Sequence, residues 1–452
     1  MSLPPQILDQ TLRTPYGEAA YKVVEALVDA GFDAWWVGGS VRDILGGTIP
    51  KDIDIATDAT PDQLATLFPK IDLSSAALGS VRVPMKRFSF EVTTFREDDE
   101  ASDGRHPESI VFGTREADAK RRDFTINALY VHPISKQLFD PFEGEADLKE
   151  RLIRFIGDPA VRIKHDALRI LRAVRFRARI DGQYHPETYR ALQELASQVE
   201  ILSGSRVLSE FEKMLQGPNP DRALEDLWEL GILGHVLPEL HACKGVPQPA
   251  DYHKEGDVWD HTLRLAASFR PEDGIDVRVA GVFHDCGKAE TFSLEERIRF
   301  DHHASVSADL AEKALSRMQM PKKRREKISW LITHHMMMGS FSDMNDERKA
   351  HWYHHPWFAD LLRLFWLDIA GTDPTDFSLY ERIVRDRDTF LDSHPLPAKA
   401  LLGGDEIMDL LDTGPGEKIG EVAKALLDAQ VHGDVRNKDE ARTFVRKYGS
   451  AS

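Results

Sequence analysis

The segment GGSVRDILGGTIPKDIDIAT, residues 38–57, sets the expected fold of the first part of the chain. The apolar run AWWV ends just before Gly38 and the helix-like SVRDIL follows Gly39, so the segment predicts a strand, a glycine turn and a helix. Glycine amides at such a turn can approach a phosphate group at the N-terminus of the helix. A glycine pair alone is also typical of an ordinary strand-to-helix turn.

The same segment ends in the triplet DID. Side chains alternate along a strand, so Asp52 and Asp54 are predicted to point to one side while Ile53 enters the core. Two neighbouring carboxylates repel unless a cation lies between them, and Mg²⁺ commonly joins carboxylates to substrate phosphates. We therefore predict a Mg²⁺ site at Asp52 and Asp54 that activates a 3′-hydroxyl and steadies a leaving pyrophosphate. The alternative is a solvent-facing edge strand.

Outside this segment, the first 150 residues alternate short apolar runs with turn residues. The runs predicted as strands are DAWWVGG, DIDIAT, SVRVPM and FSFEVTTF, with helices at 17–30 and 61–68. From about residue 155 the apolar spacing is helical almost to the end. The sequence therefore predicts an α+β protein, with a mixed α/β head followed by all-α parts.

Two stretches rich in Pro and Gly interrupt the helical pattern, CKGVPQPADYHKEGD (243–257) and HPLPAKALLGGDE (394–406). A chain of 452 residues also exceeds the usual size of one hydrophobic core. We expect four parts, namely a head at 1–150, a helical neck and body at 151–245, a second helical domain at 256–395 and a helical tail at 396–452.

Composition is that of an ordinary globular protein, with 42% hydrophobic and 29% charged residues. No apolar run approaches the roughly 18 residues of a membrane-spanning helix, so no membrane association is expected. The N-terminus lacks a signal-peptide pattern, and the two cysteines, Cys243 and Cys286, fit a reducing compartment, which predicts a cytoplasmic protein. No obligate protein partner is evident.

The net charge of -17 argues against broad adhesion to nucleic acid, but residues 161–180 concentrate positive charge. Asp166, Arg169, Arg172 and Arg175 recur every three residues, which places Asp166 and Arg169 on one helix face. A carboxylate acceptor beside a guanidinium donor can address the amino group and ring nitrogen that C and A share. The alternative is a surface ion pair.

Five motifs together resemble class II tRNA nucleotidyltransferases, the CCA-adding enzymes, in order and spacing. They are the opening segment, FEVTTFR (90–96), DGRHPESIVF (103–112), RRDFTINALY (121–130) and DALRILRAVRF (166–176). The resemblance implies that Asp52 and Asp54 hold Mg²⁺ and that Gly39, Arg42 and Arg122 contact the incoming nucleotide. Asp166, Arg169, Arg172 and Arg175 would then select it. Glu91 is either a third carboxylate of this site or an ordinary strand glutamate.

The family resemblance implies addition of C and A to the 3′ end of tRNA from CTP and ATP. Asp103, Gly104 and Arg105 match the element used in switching from C to A addition, which favours an enzyme able to add the terminal A. His165 and Ser205 depart from the family, which usually has Glu at both positions. A bacterial poly(A) polymerase, or an enzyme that adds only CC or only A, remains an alternative.

A second group of metal-ligand residue types lies in the C-terminal half. His261, His284, Asp285 and Asp368 fall in apolar helical surroundings, and imidazole and carboxylate suit a divalent transition metal. The arrangement resembles HD-domain phosphohydrolases, which implies action on phosphomonoesters or 2′,3′-cyclic phosphates. For the pairs His302-His303 and His334-His335, the alternative to metal binding is that they are unrelated histidines. A phosphohydrolase whose head only binds RNA is the alternative from another reaction class.

Overall fold

The computed structural model describes residues 5–97, 111–249, 253–294, 296–394, 400–414, 416–431, 434–435 and 437–450. The chain divides into two compact units, Met1–Val236 and Leu237–Ser452. Asp103, Gly104 and Arg105 lie outside the described residues. The four-part division expected from the sequence stays a prediction.

The first unit combines a sheet with helices. Its strands are β1 (Ala34–Val37), β2 (Asp54–Thr57), β3 (Ser80–Met85), β4 (Phe88–Thr94), β5 (Arg96–Glu97), β6 (Val111–Phe112), β7 (Tyr130–His132), β8 (Gln137–Phe139), β9 (Leu152–Ile153) and β10 (Gln183–Tyr184). Its helices are α1 (Pro5–Arg13), α2 (Pro15–Asp29), α3 (Gly39–Leu45), α4 (Pro61–Leu67), α5 (Arg115–Arg121), α6 (Gly144–Lys149), α7 (Pro159–His165), α8 (Leu168–Ile180), α9 (Pro186–Glu194), α10 (Gly204–Leu215), α11 (Pro220–Glu229) and α12 (Leu233–Val236). Short 3₁₀ helices occupy Ala76–Leu78, Thr125–Asn127 and Ala196–Ile201.

The central sheet has six strands in the order β3-β4-β2-β1-β7-β8. The β2–β4 pair is parallel, and the other neighbouring pairs are antiparallel. Alternating side chains serve two cores, because Trp36 packs with residues of α2 on one face while Trp35 and Val37 pack with Tyr130 on the other. Both faces are therefore covered, which fixes the register of β1 and β2 and the position of Asp54 at the start of β2.

The second unit is mainly helical. Its helices are α13 (Pro238–His241), α14 (Val258–Ala267), α15 (Ile275–Phe283), α16 (Lys288–Thr291), α17 (His303–Arg317), α18 (Lys322–His334), α19 (Asp346–Tyr353), α20 (Phe358–Gly371), α21 (Ser378–Ser393), α22 (Gly404–Leu411), α23 (Glu417–Val431) and α24 (Lys438–Ser450). A 3₁₀ helix covers His335–Asp343. A hairpin of β11 (Phe292–Leu294) and β12 (Ile298–Phe300) also lies here.

The predicted mixed head and helical remainder are confirmed. The four strands expected from the apolar runs are β1 to β4, and the helices expected at 17–30 and 61–68 are α2 and α4. The helical spacing after residue 155 did not reveal β10, β11 and β12, because strands of two or three residues are too short to show alternation.

Candidate functional site

A cavity of about 530 Å³ opens in the first unit beside the start of β2. The residues expected at the head site and the nucleotide site line it together, with the exception of Asp52; they are Gly39, Arg42, Asp54, Glu91, Arg122, Asp166, Arg169, Arg172 and Arg175. Seven arginines and four carboxylates form its charged lining. A cavity of this size and positive balance suits a nucleoside triphosphate.

The glycine turn that precedes α3 forms part of the cavity wall. Gly38 has a φ of 63°, which favours glycine, and a Cβ at this position would lie 3.2 Å from Nη1 of Arg122. Gly39 begins α3, and both glycines line the cavity. The predicted order of strand, glycine turn and helix is confirmed, and the turn brings the backbone close to the Arg122 side chain.

At the acidic end of the head site, the charges of Asp52 and Glu91 act on the carboxylate of Asp54. Ile53 is fully buried while Asp52 and Asp54 on either side of it reach the surface, although the strand β2 begins only at Asp54. Burial, together with the charges of Asp52 and Glu91, raises the pKa of Asp54 to about 6 against the opposing effect of Arg122. A divalent cation would relieve this repulsion, so the residues fit a Mg²⁺ site.

Neighbouring hydroxyl groups orient two of these carboxylates. The Tyr16 hydroxyl donates a hydrogen bond to Oδ1 of Asp52 at 2.8 Å. The Ser80 hydroxyl donates to Oε1 of Glu91 at 3.0 Å. Tyr16 was not anticipated, since it lies 36 residues before Asp52 and carries no motif. Glu91 lines the same cavity as Asp54, which favours its role as a third carboxylate over that of an ordinary strand glutamate.

A buried polar network links Arg42 to α8. Arg42 is 6% exposed, donates a hydrogen bond to Oδ1 of Asn127 and lies over the Phe176 ring at 5.0 Å. Asn127 in turn donates to Asp123 at 2.9 Å, and Asp123 accepts from Nε of Arg172 at 2.6 Å. Asn127 and Asp123 belong to the RRDFTIN motif but were missed as members of the network. Satisfied buried networks of this kind hold side chains in one arrangement.

The other arginines of the cavity also have fixed partners. Arg122 donates to the Tyr130 hydroxyl at 2.9 Å and forms an ion pair with Asp118 at 3.1 Å. Arg175 pairs with buried Glu210 at 2.6 Å. Because each guanidinium is anchored through some of its donors, the others are held in place for a ligand.

Asp166 and Arg169 are held by different partners, so their contacts do not support the alternative of a surface ion pair between them. Asp166 accepts hydrogen bonds from Nη2 of Arg206 at 2.9 and 3.1 Å, whereas Arg169 donates to the carbonyl of Arg162 at 2.7 Å. Both Asp166 and Arg169 line the cavity. The side chains stand side by side as acceptor and donor, each secured by a different partner.

The second unit brings the four predicted metal ligands together. Nε2 of His261 lies 3.2 Å from Oδ1 of Asp368, and Nε2 of His284 lies 3.4 Å from the same oxygen and 3.2 Å from Oδ2 of Asp285. His261 belongs to α14 and Asp368 to α20, while His284 and Asp285 directly follow α15. A Cβ at Gly371 would lie 2.9 Å from the His261 ring, so the close approach of α20 requires glycine there.

Two further histidines join this cluster. Nε2 of His303 and Nε2 of His335 lie 3.4 and 3.8 Å from Oδ1 of Asp285. They are the second members of the HH pairs whose role the sequence left open. His302 is the exposed residue before α17, and His334 stacks on Trp330, so the two members of each pair have separate surroundings. The sequence could have distinguished the two histidines of each pair only through knowledge of which face of the helix is buried.

The geometry of the cluster fits a divalent metal ion. The Nδ1 atoms of His284, His303 and His335 face backbone carbonyls at 2.6–2.9 Å, so each Nε2 points to the centre of the cluster. Within the described residues, Nε2 of His261 and of His284 and Oδ1 of Asp285 are buried without a well-formed hydrogen bond. Buried acceptors without donors are expected where a cation supplies the missing interaction.

Lys288 adds a fixed positive charge beside Asp285. Its Nζ lies 2.7 Å from Oδ2 of Asp285 and donates to Oε1 of Gln248 at 2.8 Å. Burial alone would raise the pKa of Asp285, but the charges of His284 and Lys288 outweigh it and hold that pKa well below its usual value. Asp285 is thus available as an anionic ligand.

Family models match three parts of the chain. They are the Poly A polymerase head domain at residues 34–154, the probable RNA and SrmB-binding site of polymerase A at 183–244, and the HD domain at 257–390. The head and HD matches imply the use of divalent metal ions. None of the helices within the described residues is long and apolar enough to cross a membrane.

Curated relatives and solved structures agree with these matches. The A-adding tRNA nucleotidyltransferase of Deinococcus radiodurans is 30% identical over 91% of this chain and 94% of its own length. A CCA-adding enzyme of Geobacillus stearothermophilus is 38% identical, but the alignment covers 57% of this chain and 60% of the relative. The crystal structure of the Bacillus stearothermophilus CCA-adding enzyme in complex with CTP has 27% identity and a TM-score of 0.63, covering 97% of this chain and 98% of that one.

These findings confirm the resemblance inferred from the five motifs and do not favour the poly(A) polymerase alternative. The match to the Deinococcus relative extends over nearly the full length of both chains, including the HD-domain region. The chain belongs to the tRNA nucleotidyltransferase family, and it is an enzyme of that class.

Proposed function

We propose that this enzyme adds C and A to the 3′ end of tRNA, using CTP and ATP. The observation that supports this proposal is that one cavity is lined by the carboxylates Asp54 and Glu91 and by Asp166 and Arg169, the two residues proposed to contact the base. In this proposal, the residues for phosphoryl transfer and the residues that select the base share one cavity, so no nucleic-acid template is needed. The relatives are named for CCA addition and A addition, and the related crystal structure is a complex with CTP, which supports this substrate class.

Within this proposal the head residues divide into two roles. Asp52 and Asp54, with Glu91, hold Mg²⁺, which supplies charge neutralisation for the attacking hydroxyl and the leaving pyrophosphate. Gly39, Arg42 and Arg122 receive the triphosphate, because anchored guanidinium groups and backbone amides are suited to phosphate oxygens. Arg172 and Arg175, stacked near Phe176, form the wall against which the nucleotide lies.

Base choice follows from hydrogen-bonding chemistry at Asp166 and Arg169. A carboxylate accepts from the exocyclic amino group of C or A, while a guanidinium donates to the adjacent ring nitrogen. U and G present a carbonyl oxygen where C and A present the amino group, so they meet an acceptor with an acceptor. The proposed preference for CTP and ATP rests on this pair.

The cluster of metal-ligand residues in the second unit is proposed to be a metal-dependent phosphohydrolase site. His261, His284, Asp285 and Asp368 would hold a divalent transition metal, and His303 and His335 offer further donors on the other oxygen of Asp285. Such a metal lowers the pKa of bound water and supplies hydroxide at neutral pH. Phosphomonoesters or 2′,3′-cyclic phosphates at tRNA ends are the proposed substrates.

The test offers purified protein three tRNAs, ending before CCA, at C and at CC, each with labelled CTP or ATP. Incorporation of C on the first two and of A on the third is expected. Growth of long A tracts on unrelated RNA without use of CTP would contradict the proposal. The cytoplasm is the proposed location, in keeping with the free thiols of Cys243 and Cys286.

A second candidate is an enzyme that adds only the terminal A. The relative that aligns over 94% of its own length is an A-adding tRNA nucleotidyltransferase, which favours this alternative specifically. His165 and Ser205, beside Asp166 and Arg206, mark where this chain departs from the CCA-adding pattern. The same three tRNAs separate the candidates, because an A-adding enzyme extends only the tRNA that ends in CC.

A further inference from the structure

The carboxylate of Asp166 is held by two groups of the protein, a guanidinium and a backbone amide. Nη2 of Arg206 contacts both oxygens, at 2.9 Å to Oδ1 and 3.1 Å to Oδ2, and the amide of Leu168 donates to Oδ1 at 3.1 Å. Oδ1 thus carries two of the three hydrogen bonds formed by the described residues. Oδ2 carries one, so it is the oxygen with capacity to accept from a ligand.

Arg206 reaches Asp166 from α10, a helix that also supports the cavity at a second point. Glu210 lies one helical turn after Arg206 on the same face and forms the buried ion pair with Arg175 at 2.6 Å. Glu210 is 2% exposed and also accepts from Lys213 at 3.0 Å. One face of α10 therefore holds an acceptor and a donor of the nucleotide cavity.

Arg169 needs no contribution from Asp166 to keep its place. Its guanidinium donates to the carbonyl of Arg162 at 2.7 Å and to the carbonyl of Arg121 at 3.4 Å. The two side chains are consequently held by separate groups, Arg169 by backbone carbonyls and Asp166 by Arg206 and the Leu168 amide. Loss of Arg206 would leave Asp166 held at Oδ1 by the Leu168 amide and would remove the contact to Oδ2, while Arg169 stays anchored.

Building on the proposed function, we propose that Arg206 is a positioning residue that sets nucleotide selectivity. It turns the Asp166 carboxylate so that Oδ2 accepts from the amino group of C or A and opposes the carbonyl oxygen of U or G. A carboxylate free to rotate would also accept a hydrogen bond from the N–H groups of U and G, and discrimination would fall.

The test measures selectivity within each variant, so that changes in tRNA affinity cancel. Wild type, R206A and R206K are compared in single-turnover incorporation of CTP against UTP on tRNA lacking CCA, and of ATP against GTP on tRNA ending in CC. We expect R206A to lower the preference by about tenfold, since a well-made pair of base contacts supplies roughly one to two orders of magnitude. R206K, which keeps one donor, should recover part of it.

R190A is the matched control, because Arg190 is an exposed arginine of α9 and its loss removes the same charge. Far-ultraviolet circular dichroism and thermal unfolding establish that the variants are folded. An unchanged preference in folded R206A, or an equal fall in R190A, overturns the inference while leaving the proposed function standing. If R206A does not fold, the inference is tested with R206K, which should show a smaller fall in nucleotide preference. An unchanged preference in R206K then overturns the inference equally. A wild-type protein that incorporates no nucleotide on any of these tRNAs overturns both.

Discussion

Oε1 of Glu255 lies 3.2 Å from Nδ1 of His261, on the side of the ring opposite the metal cluster. The Glu255 side chain is fully buried, its Oε1 also lies 2.6 Å from Nδ1 of His253, and its Oε2 accepts from the amide of Asp373 at 2.9 Å. The three residues His253, Glu255 and His261 have the spacing of a metal site. The hydrogen bonds instead place Glu255 as the outer carboxylate that orients His261.

Replacing Glu255 by Gln should weaken metal binding by about 10- to 100-fold, the usual cost of losing such an outer partner. The amide has only one oxygen, so it cannot serve His261, His253 and Asp373 together. The measurement is the Ni²⁺ or Mn²⁺ concentration that half-saturates the thermal stabilisation of the protein. E381Q, at an exposed glutamate of α21, is the control. Equal metal affinity in E255Q and E381Q would show that Glu255 does not orient the ligand.

Replacing Tyr16 by Phe should raise the Mg²⁺ concentration needed for half-maximal incorporation and lower kcat by roughly tenfold. The ring contacts to Phe88 and Phe90 remain, while the hydrogen bond to Asp52 is lost, which typically amounts to about 1.5 kcal/mol for a charged acceptor. Y21F removes a hydroxyl from the same helix and serves as the control. The role given to Tyr16 fails if the two variants show the same Mg²⁺ dependence.

The buried pair Tyr184–Asp226 should make the first unit more stable at mildly acid pH. Burial raises the pKa of Asp226 to about 6, although the Tyr184 hydroxyl at 2.6 Å and Arg177 act in the opposite direction. An unfolded chain has an Asp pKa of about 3.9, so the folded protein binds the proton more tightly. This contribution to stability is fully present below about pH 4 and is lost as the pH rises through about 6.

The check compares wild type with D226N, which has no such proton to exchange. The measurement is the free energy of opening from hydrogen exchange in peptides of α8 and α11. When the pH is lowered from 7.5 to 5, this free energy should increase by about 1 kcal/mol more in the wild type than in D226N. The comparison is made after correction for the pH dependence of intrinsic exchange. A difference that is constant over this pH range would mean that Asp226 titrates at its ordinary pKa.

The sequence predicted those features that depend on spacing within a single element. The alternating exposure of Asp52, Ile53 and Asp54 was predicted, although β2 begins only at Asp54, and the periodic apolar runs located β1 to β4. In the structure, most of the head-site residues identified from these motifs line one cavity. These features are local, or they follow from a family pattern that the residues display directly.

Partners far apart in the chain were not predictable in the same way. Asn127 lies 85 residues after Arg42, and Glu255 lies 118 residues before Asp373. Such contacts depend on how elements pack, which the periodicity of one element does not encode. Asp166 shows the consequence, because its place beside Arg169 follows from the spacing within one helix, whereas its contact with Arg206 of α10 does not.

Two separate centres are proposed to perform nucleotidyl transfer and phosphate hydrolysis. The most direct test measures both activities on one preparation each of wild type, D54A, H284A and the exposed-site control D62A, using tRNA ending in CC and a 2′,3′-cyclic nucleotide. D54A should lower incorporation by about 1,000-fold, the equivalent of several kcal/mol of lost metal stabilisation, and leave hydrolysis intact. H284A should do the reverse. If either substitution abolished both activities in a folded protein, or if D54A kept normal incorporation, the account would be contradicted.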